Sequence, residues 1–438
     1  MRRLPLLLGL LVPAIAAAAV VAGDWPRWRG PFNTGVARGG APVEWSATKN
    51  VKWKVEVPGR GHSSPVIWED RIYLTTAVPR GQGAAPSREG STFGSTEAQP
   101  EYDFLVLCYD KDDGSEIWRQ TALTAAPHEG YHATYGSFAS NSPVTDGETL
   151  IAFFGSRGVF AYHLDGKLRW KKNLGVEMRM RNAFGEGVAP VLHDNVLLLT
   201  FDHEGQSFLA ALDKRDGKEL WRVERDEPSN WAPPLVLEHE GALQAVVAAT
   251  NKVRSYELSS GKLIWEASGL GLNTIPAPVT DGERVYVMSG YRDPNLLAIR
   301  LGGEGDLTGS EAIEWTNQRG NAYTASPVLE DGVLYVVTDR GMLSAFDTAT
   351  GEPHYLQQRL PNPYSFKSSP VAADGKLYLA TEQGDVVVVA MGTGYKPLAV
   401  NSMGDEFFIA TPAVSDGELF LRGRTTLYCI SGQAGAGR

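Results

Sequence analysis

The chain has 438 residues, 43% of them hydrophobic and 21% charged, with 48 glycines and 26 prolines, a balance that suits many short strands joined by tight turns. Its formal net charge of −10 argues against a nucleic-acid partner, because contact with phosphates needs an excess of Lys and Arg on one face. No stretch combines low hydrophobicity with high charge, so disorder is excluded as the chain's general state.

At the amino terminus, Arg2 and Arg3 precede an apolar run from Leu4 to Val12 and then small residues, with Ala17-x-Ala19 or Val20-x-Ala22 before a cut. This pattern predicts a Sec-type signal peptide over residues 1–22 and a mature chain beginning near Gly23. Gly23-Asp24 ends the run short of the about 20 apolar residues a membrane span requires, so no span is expected after signal removal. With no Cys near the cut a lipid anchor is not expected, and paired arginines alone do not make the specialised export signal. The expected location is periplasmic or secreted. Residues 23–49 read as an N-terminal extension and residues 50–438 as one domain.

That single domain is argued from a repeat. From Pro65 onward one phrase recurs eight times, at intervals of about 42 to 49 residues once one long insertion is set aside, with its prolines at 65, 143, 190, 234, 278, 327, 370 and 412. It runs (Ser/Ala)-x-Pro-Val, Asp-Gly, an alternating apolar run, a polar turn, a second apolar run ending near Ala-x-Asp, then Gly-x-x-x-Trp. A copy of this length buries its apolar face only against its neighbours, which predicts an all-β, eight-bladed propeller with four antiparallel strands per blade. The sixth copy reads most clearly: Ser326 to Leu329 as inner strand, Asp331-Gly332 as hairpin turn, Val333 to Val337, Met342 to Asp347, then an outer strand from His354 or Tyr355.

Tryptophans mark the outer strands at Trp118, Trp170, Trp221 and Trp265, with Trp315 after a longer Gly-rich turn at Gly302-Gly303-Glu304-Gly305, and Tyr355 and Leu398 standing in for Trp. Interblade packing is the expected role of this set. The eighth copy lacks its outer strand, and Trp53 precedes Pro65 by the interval that separates the other tryptophans from the following proline. Residues 51–57 are therefore expected to be the outer strand of the last blade, sealing the ring and removing its open edges.

Residues 77–101 read as an insertion between the second and third strands of blade one, and residues 121–142 as an elongated connection into blade two. Connectivity puts both on one face, which varies from copy to copy, while the Asp-Gly and Thr-Gly turns line the other. Variable loops on a rigid scaffold are where binding is expected. Cys108 and Cys429 end the third strand of the first and last copies; neighbouring blades would hold them roughly 12 Å apart, beyond the about 7 Å a disulfide allows, so two buried free thiols are expected.

These copies resemble the PQQ-like repeat, in which Ala-x-Asp-x-x-x-Gly-x-x-x-Trp, here Ala211-Leu212-Asp213 through Trp221, is a tryptophan-docking motif. The opening Trp25-Pro26-Arg27-Trp28-Arg29-Gly30-Pro31 is similar to the start of secreted bacterial proteins of this group, the BamB-like propellers. The resemblance implies a non-enzymatic scaffold that binds envelope or outer-membrane proteins through one loop face, and a monomer is expected. The alternative it implies is a quinoprotein dehydrogenase-like enzyme with a Ca²⁺ and quinone site in the central funnel. Such enzymes often carry adjacent cysteines, absent here, and no cofactor is expected.

Residues just before the inner strands are candidates for the funnel face: His62, Asn141, Glu186, Trp231, Asn273, Tyr323 and Lys367. Glu186 with Asn141 or Asn273 would be the Ca²⁺ donors, although polar groups that merely solvate a channel mouth are the expectation. Trp231 falls outside the docking position, which singles it out for ligand or partner contact. Arg179, Arg181, Arg292, Arg340, Arg422 and Arg424 are expected in or near variable-face loops as a basic rim. His128-Glu129-Gly130-Tyr131-His132 matches H-E-x-x-H, but zinc chemistry requires that motif on a helix; Pro127, Gly130 and flanking β sequence predict an ordered loop, and no metal is expected.

Overall fold

The computed structural model describes residues 23–81, 86–97 and 99–432; the expected signal peptide and its cleavage site lie outside the described residues. Each copy of the repeat becomes one antiparallel sheet, and eight sheets follow one another along the chain. In blade one the strands are Val66–Trp68, Arg71–Pro79, Tyr102–Asp110 and Glu116–Ala125. The hairpin between the first two strands works because both turn residues accept the left-handed region: φ is +50° and +73° at Asp331 and Gly332, and +48° and +82° at Asp416 and Gly417. No helix among the described residues is long and apolar enough to cross a membrane.

The ring closes as the repeat requires. Val51–Glu56 is the outer strand of the last blade, antiparallel to Thr426–Ser431, with Trp53 opposite Cys429 and Val55 opposite Leu427. Cys108 and Cys429 are both buried and free.

Two devices join blade to blade. At the periphery, the indole N–H of Trp53, Trp118, Trp170, Trp221 and Trp315 donates to a carbonyl in the turn of the following blade: Lys111, Leu164, Lys214, Leu258 and Thr348, at 2.7–3.0 Å. The glycine of the next Gly-x-x-x-Trp lies under each ring; a Cβ at Gly217 would sit 2.7 Å from Trp170, and Gly217 has φ +72°. The spacing of the motif therefore encodes a contact with the preceding blade's tryptophan. Nearer the axis, the N–H of the residue before the repeat's proline donates to the hydroxyl at the same position in the next blade. The series runs Ala277 to Ser326, Ser326 to Ser369, Ser369 to Thr411, Thr411 to Ser64 and Ser64 to Ser142.

Blade four departs from the expected four strands. Gly305–Asp306, from the widened turn of blade five, adds a short fifth strand parallel to Leu263–Ala267, pairing Gly305 with Trp265. There the Trp265 ring is fully buried and its N–H, unlike those of the other docking tryptophans, has no hydrogen-bond partner.

The extension before Val51 is built into the ring. Trp25 pairs with Ile67 of blade one, the Pro26 carbonyl accepts from Thr145 of blade two, and Arg27 reaches the Leu192 carbonyl of blade three. Arg29 donates to the carbonyls of Pro327 and Pro370, in blades six and seven, at 2.7 and 2.8 Å. Trp28 donates to the Thr411 hydroxyl at blade eight. Contacts with six blades place this segment across the central channel as a plug. Burial of the Arg29 guanidinium lowers its pKa to about 9, and its two Nη groups are held by carbonyls with no carboxylate partner.

Candidate functional site

Above the plug the channel opens as a funnel of about 410 Å³ on the variable face. Of the residues the sequence proposed for it, His62, Glu186, Trp231, Tyr323 and Lys367 border this cavity. Asn141 and Asn273 do not: both are buried in the wall, where the Asn273 amide donates to the Tyr323 hydroxyl. Trp28, Tyr135, Phe184 and Tyr291 also border the funnel, as does His132 of the loop expected to pack over it. Trp28 arrives from the plug, and His132 and Tyr135 from the elongated connection into blade two, so neither shares the pre-proline position that guided the search.

The rings are held in place. Trp231 donates to the Gly185 carbonyl at 2.9 Å, Tyr291 stacks on Tyr323 at 5.1 Å and His132 on Tyr135 at 4.7 Å. The charges are spent within the wall. Lys367 bonds Asp339 at 2.6 Å and lies 4.6 Å from the Tyr135 ring centre; burial opposes its charge, but Asp339 and Glu382 outweigh that and hold its pKa above the ordinary lysine value. Both carboxylate oxygens of Glu186 accept from Ser156, from its N–H at 2.6 Å and its hydroxyl at 2.5 Å.

The Arg422 expectation is corrected. Arg422 is 2% exposed, and its Nη1 donates to the Ser63 carbonyl and hydroxyl and to the Thr75 carbonyl. It ends the second strand of blade eight, where both sheet faces are covered by neighbouring blades, so it is an internal tie to blade one and not part of a rim. Arg424, two residues on, is exposed and lies 4.4 Å from the Phe407 ring centre. Arg181 pairs with Glu204, and Arg292 lies over Tyr291.

His128-Glu129-Gly130-Tyr131-His132 is irregular backbone, and its side chains diverge. His128 bonds the Met178 carbonyl and Arg157, Glu129 accepts from the Met180 N–H, and His132 accepts from the N–H groups of Thr134 and Tyr135. The segment ties the blade-two connection to the loop before blade three. Burial pushes Glu129 up to about 7.

His62 is shifted the other way. Burial, then the positive charges of Arg60 and Arg422, lower its pKa to about 3, so the folded state favours the neutral ring. A depressed folded pKa means that this stabilisation is complete above the ordinary histidine value near 6.5 and is lost as pH falls from there toward 3. His62→Gln is expected to lose less melting temperature than the parent between pH 7 and pH 4; equal losses would show that His62 does not govern this window.

A quinone with its divalent cation does not fit these residues. Its cation requires carboxylate and amide oxygens converging on one point, whereas each Glu186 oxygen is already engaged by Ser156 and both asparagines lie outside the cavity lining. Among the described residues no group of three or more His, Cys, Asp or Glu is placed to hold a metal ion.

The family described as outer membrane protein assembly factor BamB matches residues 33–179, 102–353 and 249–432. The chain is 24% identical over 257 residues to the outer membrane protein assembly factor BamB of Yersinia pestis, covering 57% of this chain and 50% of that protein; it thus spans about half the length of this relative. BamB from Moraxella catarrhalis superposes with a TM-score of 0.55 at 12% identity, over 88% of this chain and 99% of that one. Quinohemoprotein alcohol dehydrogenase from Comamonas testosteroni gives 0.60 at 11% identity, over 96% of this chain and 82% of that one. At these identities the two structures speak for the fold alone.

Proposed function

The chain belongs to the BamB family of PQQ-like β-propellers, and from that premise we propose that it is a non-enzymatic scaffold of the cell envelope that binds partner proteins through its variable face. The observation that carries this reading is how the loops of that face are built. The insertion of blade one is knitted into its neighbours: Gly94 donates to Asn182, Gly130 to Ser95, Tyr131 to Pro86 and Ala133 to Thr92, all through backbone groups at 2.7–3.1 Å. Phe93 of the insertion packs edge-on against Phe184 at the funnel rim, with ring centres 5.8 Å apart, and is still 39% exposed.

A loop fixed by backbone hydrogen bonds that still presents an aromatic ring to solvent is preorganised for a partner, since little entropy remains to be lost there. Exposed Arg424 adds a residue type enriched at the energetic centres of interfaces. The absence of asparagine amides from the cavity lining beside Glu186 favours binding over redox chemistry.

The test is capture of an envelope protein, identified by cross-linking the purified chain in native envelope extract. Phe93→Ala and Arg424→Glu are expected to weaken capture of that protein by about tenfold, the effect of losing a central contact. Lys218→Glu, in an exposed turn on the opposite face, is expected to leave it unchanged. Equal capture by all variants would move the interface off this face.

A further inference from the structure

The funnel supports an inference that does not rest on protein capture. Its two indoles are pinned by their polar edges: Trp231 donates to the Gly185 carbonyl and Trp28 to the Thr411 hydroxyl, each at 2.9 Å. With the N–H turned into the wall, the ring surface that borders the cavity is apolar and already fixed, so binding freezes no side chain there.

Between the rings stand hydroxyls of one kind. Ser64 accepts from the Thr411 N–H, Ser142 from the Ser64 N–H, and Thr411 from the Ser369 N–H and from Trp28. All three border the cavity. The Thr411 oxygen accepts twice and those of Ser64 and Ser142 once each, and none of the three hydroxyls donates to a group among the described residues, which leaves each O–H proton to be donated into the funnel. The Nε2 of His62 is buried and has no hydrogen-bond partner. The one lysine of the wall is held by Asp339 at 2.6 Å, so an anionic ligand finds no uncompensated counter-ion, and both oxygens of Glu186 are engaged by Ser156.

The complementary molecule is uncharged, flat-faced and apolar on its faces, with hydrogen-bond acceptors around its edge. A pyranose ring has this form: C–H groups cover its faces, and hydroxyl and ring oxygens line its rim. A peptide fits less well, because each of its N–H groups is a donor alone, whereas every sugar hydroxyl can turn its oxygen toward the O–H groups of the wall. The cavity of about 410 Å³ lies in the range of small-ligand sites, about 300–1,000 Å³. We propose that the funnel binds a neutral saccharide, with sugar rings on Trp28 and Trp231 and sugar oxygens accepting from Ser64, Ser142 and Thr411.

Saturation-transfer NMR and calorimetry on the full mature chain test this with cellotriose, maltotriose and triacetylchitotriose as neutral probes. Trigalacturonate serves as the anionic probe and the blocked peptide acetyl-Trp-Gly-Tyr-amide as the peptide probe. At least one neutral trisaccharide is expected to bind, more tightly than trigalacturonate and the peptide. Trp231→Ala should weaken it by at least about tenfold, as loss of a stacking platform does. Should Trp231→Ala melt early, Trp231→Met refills the volume without the ring and is expected to show the same loss. Phe93→Ala, which tests protein capture, should leave saccharide binding intact, so the two readings fail separately. Absence of binding by every neutral probe, binding indifferent to both Trp231 variants, or preference for the peptide or the anion would overturn the proposal.

Discussion

Deleting residues 51–57 is expected to destabilise the whole propeller by several kcal/mol, more than the about 3–5 kcal/mol anticipated for Trp53→Ala alone. The strand contributes in three ways. Its backbone pairs with Thr426–Ser431 from Val51 to Glu56; its Trp53 ring is 9% exposed and packs on Phe420 at 6.0 Å between ring centres; and its indole N–H bonds Lys111 across the junction with blade one. Without the strand, the last sheet ends in an open edge, and blade one loses the ring that covers Gly114. In a stack where each blade is held by its neighbours, one lost interface weakens every blade, because the closed ring becomes an open arc with two frayed ends. Chemical denaturation of the deletion variant beside Trp53→Ala measures both. A deletion that unfolds at the parent's midpoint would mean that the ends are not joined in this way.

The repeat was legible because its signals are local and recur. Asp-Gly between apolar runs marks a hairpin wherever it occurs, and Gly-x-x-x-Trp spaces a turn glycine for the preceding blade's indole. The plug was not legible. Arg27 and Arg29 find their carbonyls 165 to 341 residues away, and no local pattern announces such a partner. Arg422 misled for another reason. In Glu418–Arg422, Leu419 through Arg422 are all buried, so the alternation that separates inside from outside in a half-exposed strand is missing, and only the charge remained to suggest a surface. The funnel was legible in part: the pre-proline position located five of its residues, whereas the rings supplied by the plug and the elongated connection share no repeat position.

The architecture separates what holds the ring from what faces a ligand. Peripheral indoles and the inner hydroxyl series bind blade to blade, and the plug closes one end of the channel. The variable loops then rest on a frame whose stability does not depend on their sequence, the condition under which loops diverge freely. The inner hydroxyls belong to both parts: their oxygens fasten neighbouring blades while their protons remain for the funnel.

A buried ion pair inside blade three anchors that blade's bond to blade four, and there the second large effect is expected: Asp202→Ala should cost about 3–5 kcal/mol, the usual penalty for stranding one member of a buried ion pair. Arg225 grips Asp202 through two bonds of 2.8 and 3.0 Å, and neither side chain is exposed. Its remaining arm donates to the Tyr256 hydroxyl of blade four at 2.8 Å. Burial opposes the Arg225 charge, but Asp202, Tyr256 and Glu227 outweigh it and raise the pKa. Removing Asp202 leaves a buried guanidinium hydrogen-bonded to a phenol, with Glu227, itself committed to Arg254, as the remaining compensating charge. Replacing both partners with apolar residues of similar volume, Asp202→Leu with Arg225→Met, is expected to recover most of the loss, because the desolvation of two charges disappears with their attraction. A thermodynamic cycle over the two single variants and the double variant reads this directly. If Asp202→Ala costs less than about 1 kcal/mol, the range of an exposed pair, water reaches the site and the pair does not anchor the junction.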